Sequence, residues 1–196
     1  MKIGVLALQG DFAEHQAMLS ELGVEHREVR LPDQLNDLTA LIIPGGESTT
    51  IGKLAHEYGL IEALQTFGES HPIWGTCAGA IFLSRDAQRD QPLLGLMDIT
   101  VERNAFGRQV DSFEADLKVP VLKQAERPFP AVFIRAPIIA RVGPQVEALA
   151  YAPAEAGAEG QRIVAAREGH LLATSFHPEL SQDTRFHEYF LDLTGG

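Results

Sequence analysis

The chain has 196 residues, 16 Lys+Arg against 27 Asp+Glu, and a formal net charge of −11. This length suits one domain spanning residues 1–196, and 45% apolar with 22% charged residues excludes a disordered chain. The acidic balance repels a phosphate backbone, which sets nucleic-acid binding aside.

Residues 2–8 are apolar after Lys2 and do not alternate, as in a strand buried on both faces. The run is too short for a membrane span and lacks the basic start of a signal peptide. A membrane partner is therefore not expected, and the lone cysteine, Cys77, fits a cytoplasmic protein without disulfides. Asp11 to Leu22 carries apolar residues at helical spacing and stops at Gly23. Val24 to Arg30 reads as a polar edge strand, and Leu38 to Ile43 as a third strand stopped by Pro44-Gly45-Gly46. Ser48 or Thr49 is expected to cap a helix running to about Phe67. Pro72 to Thr76 is a fourth strand that enters Cys77, followed by a helix over 78–83.

The second half has a shorter rhythm. Strands are expected at 99–102, 112–119, 131–136, 146–151 and 163–166, then a hairpin turn at Arg167 to His170 and a strand over 171–176. Ala152 to Gly160 reads as a loop, and Ser181 to Leu193 as a closing helix. Strands alternating with helices predict right-handed βαβ units and a mostly parallel sheet, hence an α/β fold.

Three strand ends carry chemistry. Cys77 sits in Gly75-Thr-Cys-Ala-Gly79, where small neighbours permit the sharp strand-to-helix turn of a nucleophile elbow. A thiol there meets a helix N-terminus and backbone N–H groups suited to an oxyanion. The competing reading is a buried structural cysteine between packing glycines. His177-Pro-Glu179 follows a core strand, and in an extended segment its His and Glu point the same way. A carboxylate there can hold one ring nitrogen while the other faces a thiol. Alone, the tripeptide is more often a strand-end turn with a surface carboxylate, and its weight comes from its company with Cys77. The Pro44-Gly-Gly-Glu-Ser-Thr49 loop permits close backbone approach to a ligand, or simply a tight turn before a helix. It lacks the Gly-Lys-[Ser/Thr] ending of a phosphate loop. The remaining histidines, at 15, 26, 56, 71, 170 and 187, have no partner motif and read as surface or satisfied structural groups.

Taken together, Gly-Thr-Cys-Ala-Gly, the Pro-Gly-Gly loop and His-Pro-Glu resemble the triad-type (class I) glutamine amidotransferases. The finer resemblance is to the glutaminase subunit of the two-subunit pyridoxal 5′-phosphate synthase. It rests on Gly4 to Gly10, Pro44 to Thr50, Glu102-Arg-Asn-Ala-Phe-Gly-Arg-Gln-Val-Asp-Ser-Phe113, Phe133 to Pro137 and Ser175 to Leu180. The resemblance implies a three-layer α/β/α sandwich with a mostly parallel, mixed central sheet. It implies hydrolysis of L-glutamine to glutamate and ammonia, without a metal or cofactor. Cys77 would be the nucleophile, His177 the general acid/base and Glu179 its orienter. Gly45, Gly46, Glu47, Arg103, Ile134 and Arg135 would contact glutamine, and the backbone N–H groups of Gly46 and Ala78 would hold the oxyanion. Gln9 and Gly10 would face the site or the partner. That partner would be a (β/α)₈-barrel synthase subunit receiving the ammonia within a hetero-oligomer, and its docking would activate the glutaminase.

Two other readings compete. One is a glutaminase domain serving another synthase, against which the Arg-Asn-Ala-Phe-Gly-Arg-Gln block speaks. The other is a non-catalytic protein on the same fold, whose mark would be a broken triad.

Overall fold

A computed structural model describes residues 1–103, 112–153 and 162–195. Residues 104–111, the greater part of the Glu102–Phe113 block, and most of the expected 152–160 loop lie outside the described residues.

The apolar runs form the middle of one large sheet. Its strands are β1 (Lys2–Leu6), β2 (Glu25–Val29), β3 (Ala40–Ile43), β4 (Ile73–Thr76), β5 (Ser84–Asp86), β6 (Met97–Glu102), β9 (Ile138–Val142), β10 (Glu147–Tyr151), β11 (Ile163–Glu168) and β12 (Leu171–Thr174). Two more, β7 (Ser112–Leu117) and β8 (Phe129–Ile134), form a separate antiparallel pair. The main order is β2-β1-β3-β4-β12-β11-β9-β6-β5, with β10 beside β11. From β2 to β12 every pairing is parallel, whereas β11 pairs antiparallel with β12, β9 and β10. The sheet is thus mixed, with its parallel half in the first four strands and β12.

Successive residues of the central strands feed opposite cores. Leu41, Ile43 and Ile73 point into one core with helices α2 (Ser48–Glu57), α3 (Leu60–Gly68) and α4 (Ala78–Leu83). Ala40, Ile42 and Trp74 point into the other, with Leu19 of α1 (Phe12–Glu21), Phe186 and Phe190 of α5 (Arg185–Asp192), and Phe129 and Phe133 of β8. Burial on both faces explains why these strands are apolar without alternation. The result is a three-layer α/β/α arrangement, as expected.

The differences have local causes. The helix expected over 48–67 is two helices, because Gly59 takes φ 67° and ends the first. Neither Ser48 nor Thr49 is its cap. The Glu47 carboxylate accepts from Thr49 N (3.2 Å) and Thr50 N (2.8 Å) instead, adding a negative charge to the helix N-terminus. The strand expected over 131–136 starts at Phe129 and stops at Ile134, because Arg135 turns the chain with φ 41°. The closing helix begins at Arg185. Pro178–Leu180 forms a 3₁₀ turn first, and Asp183 Oδ1 then accepts from Arg185 N at 3.1 Å. The Arg185 guanidinium anchors this helix by donating to the carbonyls of Arg127 (2.8 Å) and Pro128 (2.9 Å). Strands β5 and β9 were not expected: β5 has no apolar residue, and β9 is a run of only five residues between Pro137 and Gly143. No helix among the described residues is long and apolar enough to cross a membrane.

Candidate active site

Strand β4 runs directly into Cys77, which takes φ 47° and ψ −105° before α4 begins. A side-chain-bearing residue there is strained and must be held by its surroundings. The two flanking glycines supply the room. A Cβ on Gly75 would lie 2.5 Å from the Gly79 carbonyl carbon, and one on Gly79 would lie 2.0 Å from Ile43 O. Cys77 N donates to Thr174 O at 2.8 Å, tying the elbow to the end of β12. The chain then leaves β12 through Ser175 and Phe176 to His177, whose N–H donates to Val132 O at 2.8 Å. Adjacent parallel strands thereby deliver the thiol and the imidazole to one edge of the sheet. This is where open α/β sheets place their ligand sites.

His177 Nδ1 lies 2.7 Å from Glu179 Oε1 and 3.4 Å from Asp11 Oδ2, and both His177 and Glu179 are buried. With Nδ1 engaged by the carboxylate, Nε2 is left for chemistry. Burial alone would lower the His177 pKa, but interactions with Asp11, Cys77 and Glu179 outweigh it and push the value up to about 12. The imidazole therefore carries a proton beside the sulfur. Burial raises the Glu179 pKa, opposed by its hydrogen bond with His177. Asp11, His177 and Glu179 place one polar atom each within 4.8 Å of one another.

In front of Cys77 lies a pocket of about 400 Å³. Of the residues expected from the sequence, Gly46, Glu47, Ala78, Arg103, Ile134 and Arg135 line it together with Cys77 and His177. Gly45 and Glu179 stand behind this lining. A Cβ on Gly45 would come within 2.4 Å of His177 Cε1, so this glycine makes room for the imidazole. Ala78 is the first residue of α4, where a backbone N–H has no partner within the helix. Gln9, expected near the site, lines the pocket and its Oε1 accepts from Glu47 N at 2.7 Å.

The rim is polar. Arg103 Nη2 donates to Glu47 Oε1 at 3.2 Å while the same carboxylate caps α2. Burial raises the Glu47 pKa, but hydrogen bonds from Thr50 and Thr49 outweigh it and hold it at about 2. Asp11 and Ser48 also line the pocket and were not singled out in the sequence. Asp11 had a signal in Gln9-Gly-Asp at a strand end, whereas Ser48 was assigned to a helix cap.

Behind Glu179 the interior is polar too. His15 and His187, both fully buried, lie 3.0 Å apart (Nδ1 to Nε2), and His15 Nε2 is 3.2 Å from Thr76 Oγ1 and 3.3 Å from Glu179 Oε2. Trp74 packs edge-on against both rings and donates its Nε1–H to Thr174 Oγ1 at 3.1 Å. Both histidines are interior rather than surface groups, His187 Nδ1 has no hydrogen-bond partner, and the sequence places neither next to Glu179. Of the others, His170 Nε2 is 2.8 Å from Gly68 O, His71 stacks on Phe67, and His26 Nε2 is 2.9 Å from Ser20 Oγ.

A cysteine elbow, a protonated imidazole and a buried carboxylate at one sheet edge are the parts of a thiol-dependent acyl transfer site. The family model for the SNO glutamine amidotransferases matches residues 5–194. The chain belongs to the SNO glutamine amidotransferase family. Within this family's reach, it is 59% identical to the pyridoxal 5′-phosphate synthase subunit PdxT of Herpetosiphon aurantiacus, covering 98% of this chain and all of the relative. It is 58% identical to the PdxT subunit of Pelotomaculum thermopropionicum, over 98% of this chain and 94% of that one. A solved structure of a glutamine amidotransferase superposes with a TM-score of 0.89 at 51% identity, covering 99% of both chains. PurLQS from Thermotoga maritima superposes at 0.70 with 16% identity and 97% of each chain covered, a likeness of fold alone.

Proposed function

We propose that residues 1–196 form one glutaminase domain, the ammonia-producing subunit of a pyridoxal 5′-phosphate synthase. The observation that carries this reading is the convergence of Cys77 and His177 in the lining of a pocket with a polar rim, with Glu179 holding the imidazole from behind. Family membership and full-length similarity to PdxT subunits support it.

The Cys77 sulfur, as thiolate, attacks the side-chain amide carbon of L-glutamine. The resulting oxyanion is held by the backbone N–H groups of Gly46 and Ala78. His177 Nε2–H gives its proton to the departing nitrogen, which leaves as ammonia, and a glutamyl thioester remains. Water then attacks the thioester carbon while His177 Nε2 takes its proton. Glutamate leaves and the thiolate–imidazolium pair is restored. Glu179 keeps the ring oriented and balances its charge. Arg103 and Arg135, with Gly45, Glu47 and Ile134, shape the site for the charged amino acid. No step calls for a metal or a redox cofactor.

Ammonia in water is largely protonated and lost as a nucleophile, so release into the open cytoplasm would waste it. The partner is therefore a synthase subunit, a (β/α)₈ barrel in our reading, that takes the ammonia internally. Losing one oxyanion donor costs about 2.7–4 kcal/mol of barrier, enough for docking to switch the enzyme through the Gly46 loop. The test is ammonia release from L-glutamine by this chain alone and with the synthase subunit. A large rise on adding the partner is expected. Full activity alone would overturn the activation, and no ammonia in the complex would overturn the glutaminase reading.

A further inference from the structure

The pair His15 and His187 has no part in the mechanism above, yet it is buried directly against the carboxylate that orients His177. Its chemistry is constrained at both ends. Nδ1 of His187 has no hydrogen-bond partner and neither has Oε2 of Glu179, although both are fully buried. Both rings are neutral. Burial lowers the His187 pKa to about 3, and burial together with the neighbouring His187 and His177 puts His15 well below its ordinary value.

A neutral imidazole has one N–H. A buried donor without a partner costs more than a buried lone pair, so the His187 proton belongs on Nε2, where His15 Nδ1 accepts it at 3.0 Å. His15 then carries its own proton on Nε2, the atom 3.2 Å from Thr76 Oγ1 and 3.3 Å from Glu179 Oε2. The opposite arrangement would strand a His187 Nδ1–H in the core and turn a nitrogen lone pair toward an anionic oxygen. We infer that His187 fixes His15 in its Nε2–H form, and that this N–H, donated to Thr76 Oγ1 and lying close beside Glu179 Oε2, supports the Glu179 carboxylate as a positioning element of the active site. In-line geometry favours the threonine, so Oε2 is stabilised by the close N–H dipole. The groups that face Glu179 are then His177 on Oε1, His15 on Oε2, and Asp11, whose charge opposes ionisation. Cys77 acts on it only through His177.

The role rests on the glutaminase reading, whereas the proton placement does not, and two measurements separate them. Nitrogen-15 spectra of the intact chain should show His15 as the Nε2–H tautomer, with a through-hydrogen-bond coupling between its Nδ1 and His187 Nε2. An Nδ1–H tautomer at His15 overturns the inference without any variant having to fold. Glutamine hydrolysis in the synthase complex is then followed against pH. His15→Phe should lower kcat about tenfold or more and move the acid limb of kcat/KM to higher pH by about one unit, because Glu179 becomes harder to ionise. His15→Gln, which keeps an N–H donor, should recover most of both. An unmoved acid limb in His15→Phe, or no recovery in His15→Gln, would reduce His15 to packing and sink the role. A wild-type complex that releases no ammonia would sink the glutaminase reading, and with it the role, while the spectra still decide the tautomer.

Discussion

Two glutamates serve the site, one in the pocket lining and one behind His177, and live in opposite environments. Glu47, on the rim, is half exposed and accepts from Thr49 N, Thr50 N and Arg103; burial would raise its pKa, but the hydrogen bonds from Thr50 and Thr49 keep it at about 2. Glu179, in the interior, has the His177 ring on one oxygen and only an off-line approach from His15 on the other, and burial raises its pKa. The rim carboxylate is over-supplied with donors and can spare interactions without losing its charge. The interior one is under-supplied, so its charge depends on each neighbour. Residues near Glu47 should therefore govern binding, and residues near Glu179 should govern rate.

Removing the sulfur should erase the distinction. Cys77→Ala should lower glutamine hydrolysis in the complex by about 10⁴-fold or more, with circular dichroism unchanged. Glu179→Gln should leave part of the activity, about 10²-fold down in kcat, because the base remains but loses its anionic orienter. At the rim, Arg103→Met should raise KM about tenfold with kcat little changed, read from steady-state ammonia release. An equal fall in kcat would break the comparison, since it would make the rim part of the chemistry.

The smallest effect is on stability. His187 is neutral in the fold, with a pKa of about 3 against 6.5 for the ordinary side chain. Below about pH 6.5 the unfolded chain takes up a proton that the native chain refuses, so stability falls as pH drops, by up to about 1.4 kcal/mol per unit for such a histidine. His15 adds to this slope in the same direction. Asp183, held by Arg185 and Arg127 at about 2 against 3.8, adds a loss only at lower pH, between about 4 and 2. Urea unfolding of His187→Phe from pH 7 to 5 should show a flatter acid slope than wild type. An unchanged slope would mean that the interior histidines titrate normally.

The parallel half of the sheet was legible because its strands are buried on both faces and write that burial as unbroken apolar runs. Cys77 was legible for a related reason, since Gly75 and Gly79 are there to let the elbow close. Strand β9 was not, because four of its five residues keep some exposure to solvent and the run between Pro137 and Gly143 is short and does not alternate. The Glu47 cap was missed because Ser48 and Thr49 are stronger cap formers, and only the fold shows the carboxylate reaching the helix end. The partner of His15 is 172 residues away, beyond any local pattern. Chemistry at strand ends announces itself through turn residues, whereas chemistry supported from inside the core does not.

Trp74 is the chain's single tryptophan, and it packs against the two interior imidazoles. Indole emission is quenched by a neighbouring imidazolium and shifts with local polarity. With excitation at wavelengths that only indole absorbs, the emission therefore comes from one spot, on the histidine pair behind the orienting carboxylate. It gives an unlabelled optical gauge of that interior, readable in a stopped-flow cell while glutamine is turned over.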